Sequence, residues 1–175
     1  AVSKYTLSVL PLFVLMGNLA NSANLSRNLY DAAYAVVGHY KGGLAMSTVG
    51  ACAGFGMICG SSIATAATMS QMAGPEMKRH GYSDALISGS IASGGTLGII
   101  IPPSVILVIY AYLTEQSVQE LFFAALIPGL IAVVLYMIAI RVYLIIYPSH
   151  GGHWNKMPLK ERITAITKVF PIFLI

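Results

Sequence analysis

Apolar residues along this chain come in long blocks, with the charged residues pushed to the block edges. No Asp, Glu, Lys or Arg occurs between Lys4 and Arg27, between Lys41 and Glu76, between Asp84 and Glu115, or between Glu120 and Arg141. A helix that crosses a bilayer needs about 20 largely apolar residues, and each block has room for one. The pattern predicts an all-α polytopic membrane protein. Both ends of the chain lie in apolar runs and residue 1 is not Met, so the expectation is a fragment of a longer polytopic protein.

Taken in order, residues 1–23 read as the end of a transmembrane helix, kinked at Pro11 and leaving at Gly17-Asn18. Residues 24–40 differ. Leu25, Leu29, Ala32, Ala33, Val36, Val37 and Tyr40 fall at helical spacing, with Arg27, Asn28, Asp31 and His39 off that stripe. One apolar and one charged face predict an amphipathic helix lying at the interface; the alternative is a helix outside the membrane packed on a neighbour. The stretch from Lys41 to Lys78 exceeds one span and falls short of the more than about 40 residues that two spans and a turn require. Basic residues close both ends, which puts both on the cytoplasmic side. A segment that enters and leaves by one face is a re-entrant hairpin. Residues 41–78 are assigned to it, with the tip near 60–62, where Gly60-Ser61-Ser62 breaks the apolar run.

Residues 82–114 are longer than one straight span requires. Within them GGTLGIIIPPS, Gly94–Ser104, carries two prolines that remove backbone donors. This predicts a broken transmembrane helix. Residues 120–147 read as a returning transmembrane helix, 148–168 as a basic cytoplasmic connector, and 169–175 as the start of another span.

Composition narrows the chemistry. The chain is 57% hydrophobic and 9% charged with a net charge of +4, whereas a soluble domain is about a quarter charged. The basic residues flank apolar blocks, so the charge sets topology and does not suggest nucleic acid. Cys52 and Cys59, without other thiols or a nearby His, do not complete a zinc site. The Gly56–Ser62 segment lacks the Lys of a phosphate-binding loop. His39, His80, His150 and His153 fall in loop or interfacial positions, leaving Ser61 and Ser62 without a base. No acid sits mid-span, so a cation would be held by carbonyl and hydroxyl oxygens. A helix starting after Gly60-Ser61-Ser62 would offer free N–H groups to a carboxylate, and the arm before it would offer free carbonyls to a cation. Thr65 and Thr68 add hydroxyls. Broken helices of this type hold Na⁺ and anionic substrates in many secondary transporters. The alternative is a hydroxyl-rich helix that merely packs through Ser and Thr.

Four stretches in fixed order, PLFVLMGNLA, KGGLAMSTVGACAGFGMICGSSIATAATM, MKRHGYSDALISGSIASGGTLGIIIPPSVILVIYAYLT and ELFFAALIPGL, resemble the large membrane subunit of the TRAP (tripartite ATP-independent periplasmic) transporters. The similarity covers about residues 11–130, and GSSIATA and GTLGIIIPPS are its most specific parts. The resemblance implies an elevator-type ion-transporter fold, with this chain as one of two inverted repeats. It implies Na⁺-coupled uptake of organic acids (C4-dicarboxylate, keto acid or sialic-acid-like) across a bacterial or archaeal inner membrane. The implied partners are a small membrane subunit and a periplasmic substrate-binding protein. Carried over by position, the implied ion-binding residues are Gly60, Ser61, Ser62, Gly95, Thr96, Gly98 and Pro102. Those implied nearest the substrate are Ser61, Ser62, Thr65, Pro103 and Ser104. No cofactor is expected beyond Na⁺ as coupling ion, and no catalytic residue. Competing expectations are a sodium-coupled anion transporter that works without a binding protein, a non-transport membrane subunit, and an intramembrane enzyme, against which the missing base argues.

Overall fold

The computed structural model describes residues 25–152 together with helical positions 11, 12, 15–17, 19, 165 and 167. The readings made for 1–23, 169–175 and most of 148–168 otherwise lie outside the described residues. Within residues 25–152 six α-helices follow one another: α1 Leu25–Val37, α2 Gly43–Cys59, α3 Ser62–Arg79, α4 Asp84–Ile100, α5 Val105–Thr114 and α6 Val118–Ile146, then a short 3-10 turn, Pro148–His150. Among the described residues there is no strand.

Residue types set the boundaries. Gly42 and Gly60 bracket α2 in left-handed conformation, at φ 81° and φ 60°, which a glycine adopts without steric cost. Serines open three of the helices: Ser61 Oγ accepts from Ala64 N–H, Ser83 Oγ from Leu86 N–H and Ser117 Oγ from Glu120 N–H, each satisfying a donor the helix leaves free. Lys78 and Arg79 in the last turn of α3 and Asp84 in the first turn of α4 suit the helix dipoles. Their Lys78–Asp84 ion pair, 3.2 Å long, is exposed and adds little.

Helix α2 lies at the centre, packed by α1, α3, α4 and α6. Ala45, Val49, Cys52 and Phe55 of α2, Met69, Ala73 and Met77 of α3, and Leu97 of α4 form the core. Missing side chains let the helices close up. A β-carbon on Gly94 would lie 2.8 Å from Cys52 Sγ, one on Gly95 2.8 Å from Ala66 Cβ, and one on Gly56 2.7 Å from the Gly98 Cα. Close approach through small residues is how helices associate where lipid replaces water.

Among the described residues one helix, α6, is long and apolar enough to cross a membrane by itself, and α4 with α5 passes the same test as a pair bent by 42°. Exposed Phe123, Ile127, Leu130, Val134, Ile138 and Ile145 cover α6. The bare surface of α3 and α4 is different: Ala64, Ala67, Ser70, Ser88, Gly89 and Ala92. Helix α1 departs from the stripe expected of it. It ends at Val37, buries Ser26, Leu29, Tyr30 and Ala35, and leaves Val36 and Tyr40 exposed. The segment has apolar residues on two faces, and only one meets α2.

Candidate functional site

The turn between α2 and α3 consists of two residues. Gly60 closes α2, its N–H bonded to Gly56 O at 2.8 Å. Ser61, extended at φ −135°, opens α3. Its carbonyl receives Thr65 N–H at 3.0 Å and Thr65 Oγ1 at 2.7 Å, with Cys59 Sγ a longer donor at 3.6 Å. Thr65 is fully buried, and its hydroxyl also lies 3.1 Å from Cys59 Sγ.

Ile100 ends α4, and residues 101–104 are non-helical before α5 starts at Val105. Ile101 is extended, as the residue before a proline tends to be. The segment runs against the α2–α3 turn. Val105 N–H donates to Gly60 O at 3.3 Å. A β-carbon on Gly60 would stand 3.0 Å from Pro103 O and 3.3 Å from Val105 N. Gly98 seats the other half of the turn: a β-carbon there would lie 2.8 Å from both Ser61 O and Thr65 Oγ1. The Ser104 side chain is fully buried beside Gly60, and its Oγ has no hydrogen-bond partner among the described residues. Leaving a buried hydroxyl unpaired costs about 1–3 kcal/mol.

Beside this junction is an open cavity of about 380 Å³, lined among others by Cys59, Ser61, Ser62, Thr68 and Val105. Ser62 is half-buried there and Ile63 is 81% exposed. Among the described residues no charged side chain lines it. Charged groups gather instead around a second cavity, lined by Arg27, Asp31, Glu76 and Arg79 near the far end of α3.

The structure brings Gly60, Ser61, Thr65, Gly98, Pro103 and Ser104 together. Ser62 stands at the cavity, and Pro102 is buried in the break. Gly95 serves the α3–α4 contact. Thr96 points elsewhere: its hydroxyl donates to Ser93 O at 2.7 Å and pairs with Tyr136 of α6 at 3.1 Å. Neither Cys59 nor Val105 stands out as a site residue in the sequence: Cys59 reads there as a small buried residue that completes no zinc site, and the role of Val105 is played by its backbone, which side-chain identity does not reveal.

The whole chain, residues 1–175, matches the family described as tripartite ATP-independent periplasmic transporter, DctM component. It is 44% identical over 160 residues to the C4-dicarboxylate TRAP transporter large permease protein DctM of Pseudomonas aeruginosa, covering 91% of this chain and 36% of that protein. With the ectoine TRAP transporter large permease protein TeaC of Halomonas elongata it shares 33% over 173 residues, covering 97% and 40%. With the sialic acid TRAP transporter permease protein SiaT of Haemophilus influenzae it shares 30% over 131 residues, covering 75% and 21%. The chain thus spans well under half the length of these relatives, which are named as transporter permeases and not as enzymes. It belongs to the DctM component family of the tripartite ATP-independent periplasmic transporters, a family of integral inner-membrane proteins.

Proposed function

We propose that this chain forms one inverted repeat of a Na⁺-coupled, elevator-type permease for organic acids. A periplasmic binding protein delivers the acid, and a small membrane subunit completes the membrane complex. Helices α2 and α3 are the arms of a re-entrant hairpin, and α4 with α5 is the broken span facing its tip. Na⁺ sits between the turn and the break, on oxygens drawn from Gly60, Ser61, Pro102, Pro103 and Ser104. Thr96 stands outside this set. Ser62 and Ile63, which carry the first N–H groups of α3, line the open cavity, and such groups suit a carboxylate.

The observation that carries this reading is the unpartnered, fully buried Ser104 hydroxyl beside the Gly60–Val105 contact. Polar backbone is tolerated at membrane depth where it lines a binding cavity. Depth also fits. Glu120 and Arg141 bound the uncharged part of α6, and near its middle a β-carbon on Gly129 would lie 2.9 Å from Ile101 Cγ1. That contact supports a break near mid-bilayer, where such transporters bind.

The test is uptake by the whole permease reconstituted in vesicles with its small subunit. A Na⁺ gradient and the binding protein should drive uptake without ATP, and Ser104→Ala, which removes the buried unpartnered hydroxyl, should weaken the Na⁺ dependence. Unchanged Na⁺ activation in that variant would sink the site. Uptake by the membrane subunits alone would favour a transporter independent of a binding protein. The relatives are named for C4-dicarboxylate, ectoine and sialic acid, so family membership spans several substrates.

A further inference from the structure

Thr65 has one hydroxyl proton and two acceptors within reach. Its Oγ1 is 2.7 Å from Ser61 O and 3.1 Å from Cys59 Sγ. A carbonyl only accepts, so at the shorter contact the proton lies on the path to Ser61 O. Cys59 S–H is then the donor at the longer one, with Ser61 O a more distant second acceptor, 3.6 Å from Sγ. The resulting chain runs Cys59 S–H to Thr65 O–H to the Ser61 carbonyl. That carbonyl also receives Thr65 N–H at 3.0 Å, so both of its lone pairs are engaged. In this arrangement Ser61 O has nothing left for a cation.

Resting on the Na⁺ site proposed above, we infer that Cys59 is a positioning residue that releases the Ser61 carbonyl to the ion. When the ion arrives, the Thr65 hydroxyl turns its proton from Ser61 O to Cys59 Sγ. The S–H turns toward the open cavity that Cys59 borders, giving up its weak 3.6 Å contact with Ser61 O to the ion, and one carbonyl lone pair becomes free. No bond is made or broken beyond hydrogen bonds. The geometry favours a local rotation. Thr65 and the Cys59 side chain are buried, while Cys59 borders the open cavity together with Ser61 and Ser62. Gly98 offers no side chain to obstruct the pair. Beside them the unpartnered Ser104 hydroxyl independently marks a place for a ligand oxygen to bind. Without an acceptor at position 59, a released Thr65 hydroxyl would be stranded in a buried site, so it would stay on Ser61 O and compete with the ion.

The experiment compares Na⁺ titrations of the whole reconstituted permease carrying Cys59→Ala, Cys59→Ser, Thr65→Val, or Thr65→Val with Cys59→Ala. Thermal stabilisation by Na⁺ reads occupancy apart from transport. Cys59→Ala should raise the half-saturating Na⁺ concentration about tenfold, the weight of one buried hydrogen bond. Cys59→Ser, which keeps an acceptor, should stay within about twofold of the wild type on the same argument. In the Thr65→Val background, Cys59→Ala should change nothing, since no hydroxyl remains to be moved. A Cys59→Ala titration matching the wild type overturns the inference and leaves the ion site standing. Equal loss in Cys59→Ser and Cys59→Ala also overturns it, in favour of simple packing. A wild type that does not respond to Na⁺ overturns the ion site and this inference with it.

Discussion

The backbone N–H of Val105 reaches 3.3 Å across to the carbonyl oxygen of Gly60, joining the start of α5 to the turn between α2 and α3. Two interrupted helices thus complete each other's hydrogen bonding. The Gly60 carbonyl, left free where α2 ends, takes a donor that α5 has no internal use for. The contact is close enough that neither side can acquire bulk.

Gly60→Ala should therefore lower the unfolding temperature of the permease. The left-handed φ of 60° costs an L-residue on the order of 1–2 kcal/mol. The added carbon also meets Pro103 O at 3.0 Å. Thermal unfolding in detergent or nanodiscs checks it, and a variant as stable as the parent would contradict the tight junction described here.

Two glycines of α4 should respond with opposite signs. A β-carbon on Gly89 meets nothing within 4 Å, and alanine is favoured in a helix by about 0.8–1.0 kcal/mol, so Gly89→Ala is expected to stabilise or be neutral. At Gly98 the same carbon falls 2.8 Å from Ser61 O and Thr65 Oγ1. Gly98→Ala should destabilise and blunt the Na⁺ response. Parallel melting curves with and without Na⁺ decide between the two.

Ser104→Ala should reverse sign with Na⁺. Without the ion, removing a buried unpartnered hydroxyl relieves a cost of about 1–3 kcal/mol, so the variant melts no lower than the parent. With Na⁺ present it should gain less stability than the parent does. A variant stabilised as strongly by Na⁺ as the wild type would show that Ser104 is no ligand.

At the α3–α4 loop, burial pushes the Tyr82 hydroxyl above its ordinary pKa of 10.0, while the hydrogen bond from Leu44 N–H pulls the other way. The neutral phenol is thus favoured in the folded state. Its contribution is fully present below pH about 10, the unfolded value, and is lost as pH rises through the higher folded value. Stability should fall at strongly alkaline pH, and Tyr82→Phe should flatten that fall. An unchanged alkaline limb in Tyr82→Phe would assign it to other groups.

How far the sequence speaks differs from element to element. A turn at Gly60-Ser61 can be read from residue types, because glycine takes a positive φ and serine caps the next helix. The α4–α5 bend follows from Pro102-Pro103 in the same way. The rotation of a helix about its axis is harder to read. Thr96 lies two residues from Gly98, yet it faces Tyr136 of α6 while Gly98 faces Ser61. In α1 the apolar stripe misplaced Tyr30 outside the buried face and Val36 inside it. The reason is physical. In lipid, an apolar residue is at home on either side of a helix, so hydrophobicity does not mark the interior, whereas small residues mark close contacts. The Cys59–Thr65 pair depends on side-chain directions across a reversed chain, and spacing does not encode those.

The contact of Gly129 with Ile101 has an electrical consequence. If the break lies halfway through the bilayer, an ion reaching it from either water phase has crossed about half of the membrane potential. For one elementary charge that is about 1.1 kcal/mol per 100 mV, half of the full drop. Occupancy of the turn then depends on voltage through position alone, with no voltage-sensing side chain required. Moving the site off-centre would make loading on one face more voltage-dependent than on the other.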